Sequence, residues 1–496
     1  MLHSLNTPEG SQNNIIKIRD AAAGRTFPWG LEYNCPVHEH WNIVHTGMLI
    51  PECHQIYICT DNCLRGVIMT ADEMGAAERI SSVMPDESEI FDGRLEEITI
   101  RGIIDVIRKL PRQPRAVQLF PVCMHHFIGC DMRYIFDQVE KEFPTIAFME
   151  CFMDPIRQKL TTTPEQRQRY QMMKVLAKKK GPGDLSKVSV LGENLRVQDS
   201  DFMEILQQEG IRILQVPDCQ SYDEYLAMGQ AFLWITKSPL SRYGLEKAAS
   251  LAGRKGLYLP VTVNYEEIDG QLHALLKLLC EASGRSLCES EQRLEGWIAR
   301  QRILTENAFR KAGKILKDTP IVVDYICEPR PLGFARLLLE HHFHVVRILA
   351  DQISPEEAGD LEALKNAYPD LELMSTSAAD SLYERGPSFV PSYAPRLGSH
   401  PDFAGGTSRY GYAGQKILAV GPKAAFFTGS PYFVNAIEAD GASGYMGIRH
   451  MLQLMCDAFR EPKDLEIVTG KGLGLPGVWE DPCDNGVEKN GAVFLT

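Results

Sequence analysis

The sequence predicts an α/β fold: three doubly wound, Rossmann-like parallel-sheet domains around a central crevice. Two observations predict it. Short runs rich in Val, Ile and Leu, punctuated by Gly or Pro, alternate along the chain with segments whose apolar residues recur at helical spacing. The length of 496 residues also leaves room for about three cores at roughly 150 residues each.

The first unit is carried by 95–151. Leu95, Ile98, Ile103, Val106, Ile107 and Leu110 fall on one helical face. The apolar run 115–123, bounded by Pro114 and His125, reads as a buried parallel strand with Cys123 at its carboxyl end. A second amphipathic helix over 132–143 and a strand over 145–151 complete one βαβ unit. A charged helix over 164–180 and the breaker Gly181-Pro182-Gly183 open the second unit, with strands expected at 187–191, 211–216, 231–235 and 256–260 and helices at 199–208 and 268–282. After a long polar helix over 290–317, strands at 319–326, 344–350 and 371–375 alternate with helices at 331–341 and 354–367. The expected domains are therefore 1–160, 161–288 and 289–380. The glycine- and aromatic-rich segment 381–496, helical over 447–459, is expected to pack back on the first or third unit. Right-handed crossovers would set the strand ends of the units along one crevice.

A net charge of −13 and a pI near 5.6 argue against a nucleic-acid surface. The one basic run, Lys178-Lys179-Lys180, reads as the solvated end of a helix. No stretch approaches the ~18 apolar residues of a membrane span, and the polar start MLHSLNTPEGSQNN has no secretory apolar core, so a soluble, cytoplasmic protein is expected.

In that setting the thirteen cysteines read as metal ligands or buried packing residues rather than disulfide partners. Cys35, Cys63 and Cys123 each lie in a loop or at a strand end, separated by 28 and 60 residues. That spacing is too wide for a local zinc knuckle, but strand ends of one sheet can bring such thiols together. Three thiolates are one short of the four an iron–sulfur cube usually takes, and a two-fold related subunit is the economical source of the rest. Cys53 and Cys130 are alternates, Cys53 for the middle position. Cys59 reads as strand packing, and Cys151, Cys219, Cys280, Cys288, Cys327, Cys456 and Cys483 as small buried hydrophobes. His125 and His126 could donate to cluster sulfides or lie on the surface. His38, His40 and His45 lack the second thiol pair of a zinc site. Thr407 to Tyr412, Tyr432 and Arg449 are polar groups of the C-terminal segment for which a structural role is expected.

Cys35, then Cys63 with Gly66, then an apolar helix, a strand and Cys123 before Gly129-Cys130-Asp131 together resemble the N-terminal domain of nitrogenase component 1 proteins. That superfamily includes nitrogenase subunits, cofactor-assembly scaffolds and dark-operative protochlorophyllide reductase subunits. VSVLGEN at 188–194, 210–216, the strand at 321–326 and Gly444-Tyr445-Met446-Gly447 extend the resemblance over most of the chain. It implies an oxidoreductase subunit that pairs with a second component 1-like subunit, as a homo- or heterodimer or tetramer. It implies an iron–sulfur cluster of 4Fe–4S or 8Fe–7S type at their interface, held by Cys35, Cys63 and Cys123, with a second metallocofactor or substrate in the crevice. An ATP-dependent iron–sulfur reductase would supply low-potential electrons; the alternative is a scaffold for metallocofactor assembly. Two departures mark the chain as β-type or nitrogenase-like rather than a catalytic α subunit: the stretch 233–238 (LWITKS) has no thiol, and His450 falls in the last helix. With no G-x-x-x-x-G-K-[ST] loop, ATP hydrolysis would belong to the partner. Gly470 to Gly474 lacks that spacing and reads as a tail.

Overall fold

The computed structural model describes residues 14–24, 26–27, 42–154, 157, 162–178, 183–284, 286–377, 416–465 and 468. Cys35, His38, His40, Lys179, Lys180, Thr407 to Tyr412, Gly470 to Gly474 and Cys483 lie outside them. The chain divides into two compact units, one built from 1–40, 197–204 and 261–475, the other from 41–196, 205–260 and 476–496.

The second of these holds two four-stranded, wholly parallel sheets. After β1 (Ile15–Lys17) and α1 (Ile43–Met48), the first sheet is formed by β2 (Cys53–Ile58), β3 (Ile80–Val83), β4 (Ala116–Pro121) and β5 (Ala147–Glu150), in the order β3-β2-β4-β5. Its crossovers carry α2 (Asp61–Glu73), α3 (Glu87–Phe91), α4 (Leu95–Lys109), α5 (Cys123–Ile128) and α6 (Met132–Glu142). The face of α4 predicted from its Ile and Leu spacing is the buried one: Leu95, Ile98, Ile103 and Ile107 are sequestered, and the last two pack with Val117, Leu119 and Val139.

α7 (Pro164–Leu176) starts on Thr163, whose hydroxyl accepts from Gln166 N while the Gln166 side chain returns to Thr163 N. The second sheet follows, with β6 (Asp184–Val190), α8 (Asp201–Gln208), β7 (Arg212–Gln215), α9 (Tyr222–Ala227), β8 (Ala231–Thr236), α10 (Pro239–Ala252) and β9 (Lys255–Tyr258) in the strand order β7-β6-β8-β9.

The other unit contains α11 (Tyr265–Ser283), the 30-residue α12 (Leu287–Leu316) and a six-stranded sheet. β10 (Ile321–Asp324), α13 (Pro331–Glu340), β11 (Val345–Leu349), α14 (Ala358–Ala367), β12 (Glu372–Met374), β13 (Leu418–Val420), α15 (Pro422–Thr428) and β14 (Phe433–Val434) give the order β1-β12-β11-β10-β13-β14, parallel except for β1. Two segments outside 289–380 therefore complete this sheet. The first described strand of the chain lines its edge, and β13 and β14 come from the segment the sequence marks as loop-rich. α16 (Gly444–Arg460) closes the unit. Its amino end is capped by Asp201, whose carboxylate accepts from Tyr445 N and Met446 N at 2.6 and 2.9 Å, and any side chain at Gly444 would collide with that carboxylate.

Candidate functional site

Each sheet has one point where successive crossovers leave in opposite directions, and such points are where open α/β sheets bind ligands. In the first sheet it lies between β2 and β4: the chain leaves β2 toward β3 on one side and β4 toward β5 on the other. The two strands run in register, Cys53 beside Ala116 through Ile58 beside Pro121. Cys59 and then Cys63, in the first turn of α2, follow the carboxyl end of β2; Cys123 follows that of β4 and opens α5. Sixty residues of sequence separation thus end at one switch point.

The thiols there differ in surroundings. Cys63 is exposed and Cys123 half-buried. The Thr60 hydroxyl points at Cys63 Sγ across 3.7 Å, and Cys63 N donates to Thr60 O. Cys59 is buried, and burial pushes its thiol up to about 12, with Cys63 and Asp61 adding to the rise. Cys53 begins β2 at the opposite end of the strand, 2% exposed in the core, and burial outweighs the nearby Arg79 cation to push its thiol up to about 12. A thiol so reluctant to ionise suits packing better than ligation. Cys130 sits between α5 and α6 against the core that includes Ile135 and Phe148; burial raises its thiol, and Glu96 raises it further.

The flanking histidines separate into distinct roles. His126 is exposed, while His125 is buried, its Nε2 3.1 Å from Thr99 Oγ1, and burial lowers it to about 4. His45 is buried as well and accepts from Asn42 N through Nδ1, closing the cap of α1.

Sequence reasoning missed the apolar surface beside Cys123. Phe127 and Ile128 on α5 are 73% and 45% exposed, and Met84, just past the carboxyl end of β3, is 48% exposed. Large apolar side chains left in water beyond the carboxyl ends of the strands can mark a surface that a partner covers. The signal that could have found them is the pair Phe127-Ile128 lying directly between the paired histidines and a glycine, with no polar residue to shield it.

Among the described residues, the equivalent points of the other sheets hold no thiol pair. At the second, Glu193 after β6 accepts from Thr236 Oγ1, Lys237 N and Ser238 N after β8. At the third, Asp324 at the end of β10 accepts from Ile326 N, Cys327 N and Ala424 N, and Lys423 Nζ is buried against Tyr325 Oη and Thr376 Oγ1. His450 engages both ring nitrogens with carboxylates, Asp199 and Asp440, each at 3.0 Å. Arg449 is hydrogen-bonded to Gln301 and Thr305, and Tyr432 lies under the Lys416 ammonium. Among the described residues, no group of three or more His, Cys, Asp and Glu side chains is gathered to hold a metal ion, and no helix is long and apolar enough to cross a membrane.

Three doubly wound sheets in this order, parallel but for β1, define a Rossmann-type α/β protein with the fold of nitrogenase component 1. A solved structure described as nitrogenase Cp1 at pH 6.5 superposes with a TM-score of 0.57 at 10% sequence identity, covering 87% of this chain and 94% of that one. A second, nitrogenase Cp1 at pH 5, gives 0.50 at 11% identity over 90% and 93% of the two chains. No protein-family model and no curated protein matches the sequence. At such identity the likeness is one of fold.

Proposed function

We propose that the chain is a nitrogenase-like oxidoreductase subunit that passes low-potential electrons from an ATP-dependent iron–sulfur reductase to a substrate. In this reading an iron–sulfur cluster lies at the interface with a second component 1-like subunit. The observation that carries the proposal is the arrival of Cys63 and Cys123 at the switch point between β2 and β4.

The residues fit such a group in three respects. Both thiols are at least partly accessible rather than sealed in apolar packing. Cys63 lies in the first turn of a 13-residue helix, the end at which backbone N–H groups favour an anionic ligand. Phe127, Ile128 and Met84 leave an apolar margin that a second subunit would cover. Cys35 would be the third ligand from this chain, with the remaining ligands from the partner. When bound, the cluster supplies one-electron redox chemistry. The chain's own residues position the ligands: Thr60 orients Cys63, and the β4-to-α5 turn fixes Cys123.

The test is anaerobic purification with its partner, followed by iron and sulfide analysis. Cys35→Ala, Cys63→Ala and Cys123→Ala each lower iron content and weaken subunit pairing, whereas Cys280→Ala does not. Full iron in Cys63→Ala with loss in Cys53→Ala would move the middle ligand to Cys53. A protein without iron or sulfide would end the reading, and a loaded protein that accepts no electrons from a reductase would favour the scaffold alternative.

A further inference from the structure

The connection from β14 to α16 contains three successive residues in the left-handed region, Glu438, Ala439 and Asp440, with φ of 49, 54 and 54°. None is glycine, and left-handed backbone is disfavoured for residues with a Cβ. A turn of this kind persists only when its surroundings hold it. Gln198 Nε2 donates to Asp440 O and Oδ2 at 3.2 and 3.3 Å, and two further sets of contacts hold the turn. Glu438 N and Ala439 N donate to Ile326 O and Cys327 O beyond β10, so the turn lies over Cys327, which is wholly buried. The Asp440 carboxylate meets His450 Nε2 at 3.0 Å, while His450 Nδ1 meets Asp199, a residue itself at φ 43°, also at 3.0 Å.

A neutral imidazole has one N–H and one lone pair, so it can serve only one of two carboxylates; serving both requires the cation. We propose that His450 is a proton-operated latch on this turn: doubly protonated, the ring holds Asp199 and Asp440 and keeps the turn closed over Cys327, and loss of one proton releases it. The hydrogen bond to Asp440 is the largest influence favouring the charged ring, and burial opposes it. The closed form therefore prevails on the acid and neutral side, and opening belongs to alkaline pH.

Other charged groups also lie around α16. Arg449 is hydrogen-bonded to Gln301 and Thr305, and its cation interacts with the Asp201, Glu204 and Asp199 carboxylates, so it shares Asp199 with His450. Arg302 of α12 binds Tyr445 and Asp269 of α11. Lys416 lies over Phe459, and Lys463 donates to Phe433 O. β13 and β14 carry no charged residue.

The experiment follows Cys327 alkylation by iodoacetamide in the full chain, quantified by mass spectrometry relative to Cys280, a buried thiol of α11 that reports general unfolding. Between pH 6.5 and 9 the Cys327 to Cys280 ratio rises about tenfold, the effect of losing one charge-assisted hydrogen bond, and amide protection of 437–446 falls in parallel. His450→Gln has the high ratio at both pH values. A wild-type ratio that stays flat across the range overturns the latch without any variant, as does His450→Gln retaining the wild-type pH response.

Discussion

A methyl group on Gly47 would land 2.3 Å from Gln55 Nε2, 2.4 Å from Gln118 Oε1 and 2.9 Å from Gln168 Nε2. These glutamines form a buried polar layer: Gln55 Nε2 donates to Val44 O, Tyr57 Oη donates to Gln55 Oε1, and Gln168 Nε2 is shared between Ile43 O and Gln118 Oε1. None of them can withdraw without leaving a polar atom unsatisfied. Gly47→Ala therefore lowers stability by about 1–3 kcal/mol in urea unfolding. Gly66→Ala, on the exposed side of α2 with nothing within 4 Å, acts in the opposite direction and raises stability by up to about 1 kcal/mol through helix propensity. Equal effects from the two substitutions would refute the packing argument. At this scale the sequence is opaque: Gly47 sits in an ordinary HTGM stretch, and only the fold brings three amides onto it.

Among secondary-structure elements, the long and strongly periodic ones were legible. The helices over 95–109, 132–142 and 265–283 lie within a few residues of the predicted bounds because one apolar face dictates each of them, and the long helix over 287–316, read as polar, also falls close to its expected bounds. β2 was harder, since its six buried residues include His54 and Gln55, whose polar atoms are satisfied only by Ser81, Val44 and Tyr57 in the folded state. β13 and β14, three and two residues long, could not stand out in a glycine-rich segment, and nothing local to β1 announces an antiparallel partner more than 350 residues away. For the candidate site, the cysteine spacing pointed to strand ends, but the switch between β2 and β4 and the apolar margin at α5 emerge only from strand order. That margin yields a prediction. Phe127→Ser leaves the isolated chain's stability within about 0.5 kcal/mol, since the ring is already in water, yet it weakens subunit pairing measured by sedimentation. An unchanged association constant would mean that α5 does not lie in the interface.

Across the whole molecule, the two compact units respond to acid in opposite senses. In the unit with the first and second sheets, burial holds His54 and His125 neutral, each lowered to about 4 from an ordinary 6.5. The unfolded chain takes up those protons first, so this stability is present above pH 6.5 and is lost as pH falls toward 4. In the unit with the third sheet, burial raises Asp201 and Glu357 to about 7 and Asp324 to about 6. There the folded chain takes up protons first, so the stability these groups supply declines as pH rises through 7, and the raised His450 acts in the same direction. Asp351 and Glu372, which burial would raise but hydrogen bonds to Ser375 and Arg347 hold low, oppose it only at more acidic pH. Half-buried Glu73 is also raised and offsets part of the histidine effect in its own unit. A tenfold change in proton affinity between the folded and unfolded chain is worth about 1.4 kcal/mol, so the net change is on the order of a few kcal/mol on each side. Pulse proteolysis in a urea series, with fragments assigned by mass spectrometry, resolves the units separately. From pH 7.5 to 5, the midpoint for peptides from 42–154 and 205–260 falls while that for 261–377 and 416–465 rises. Midpoints moving together would show that the buried histidines and carboxyls do not govern how each unit meets acid.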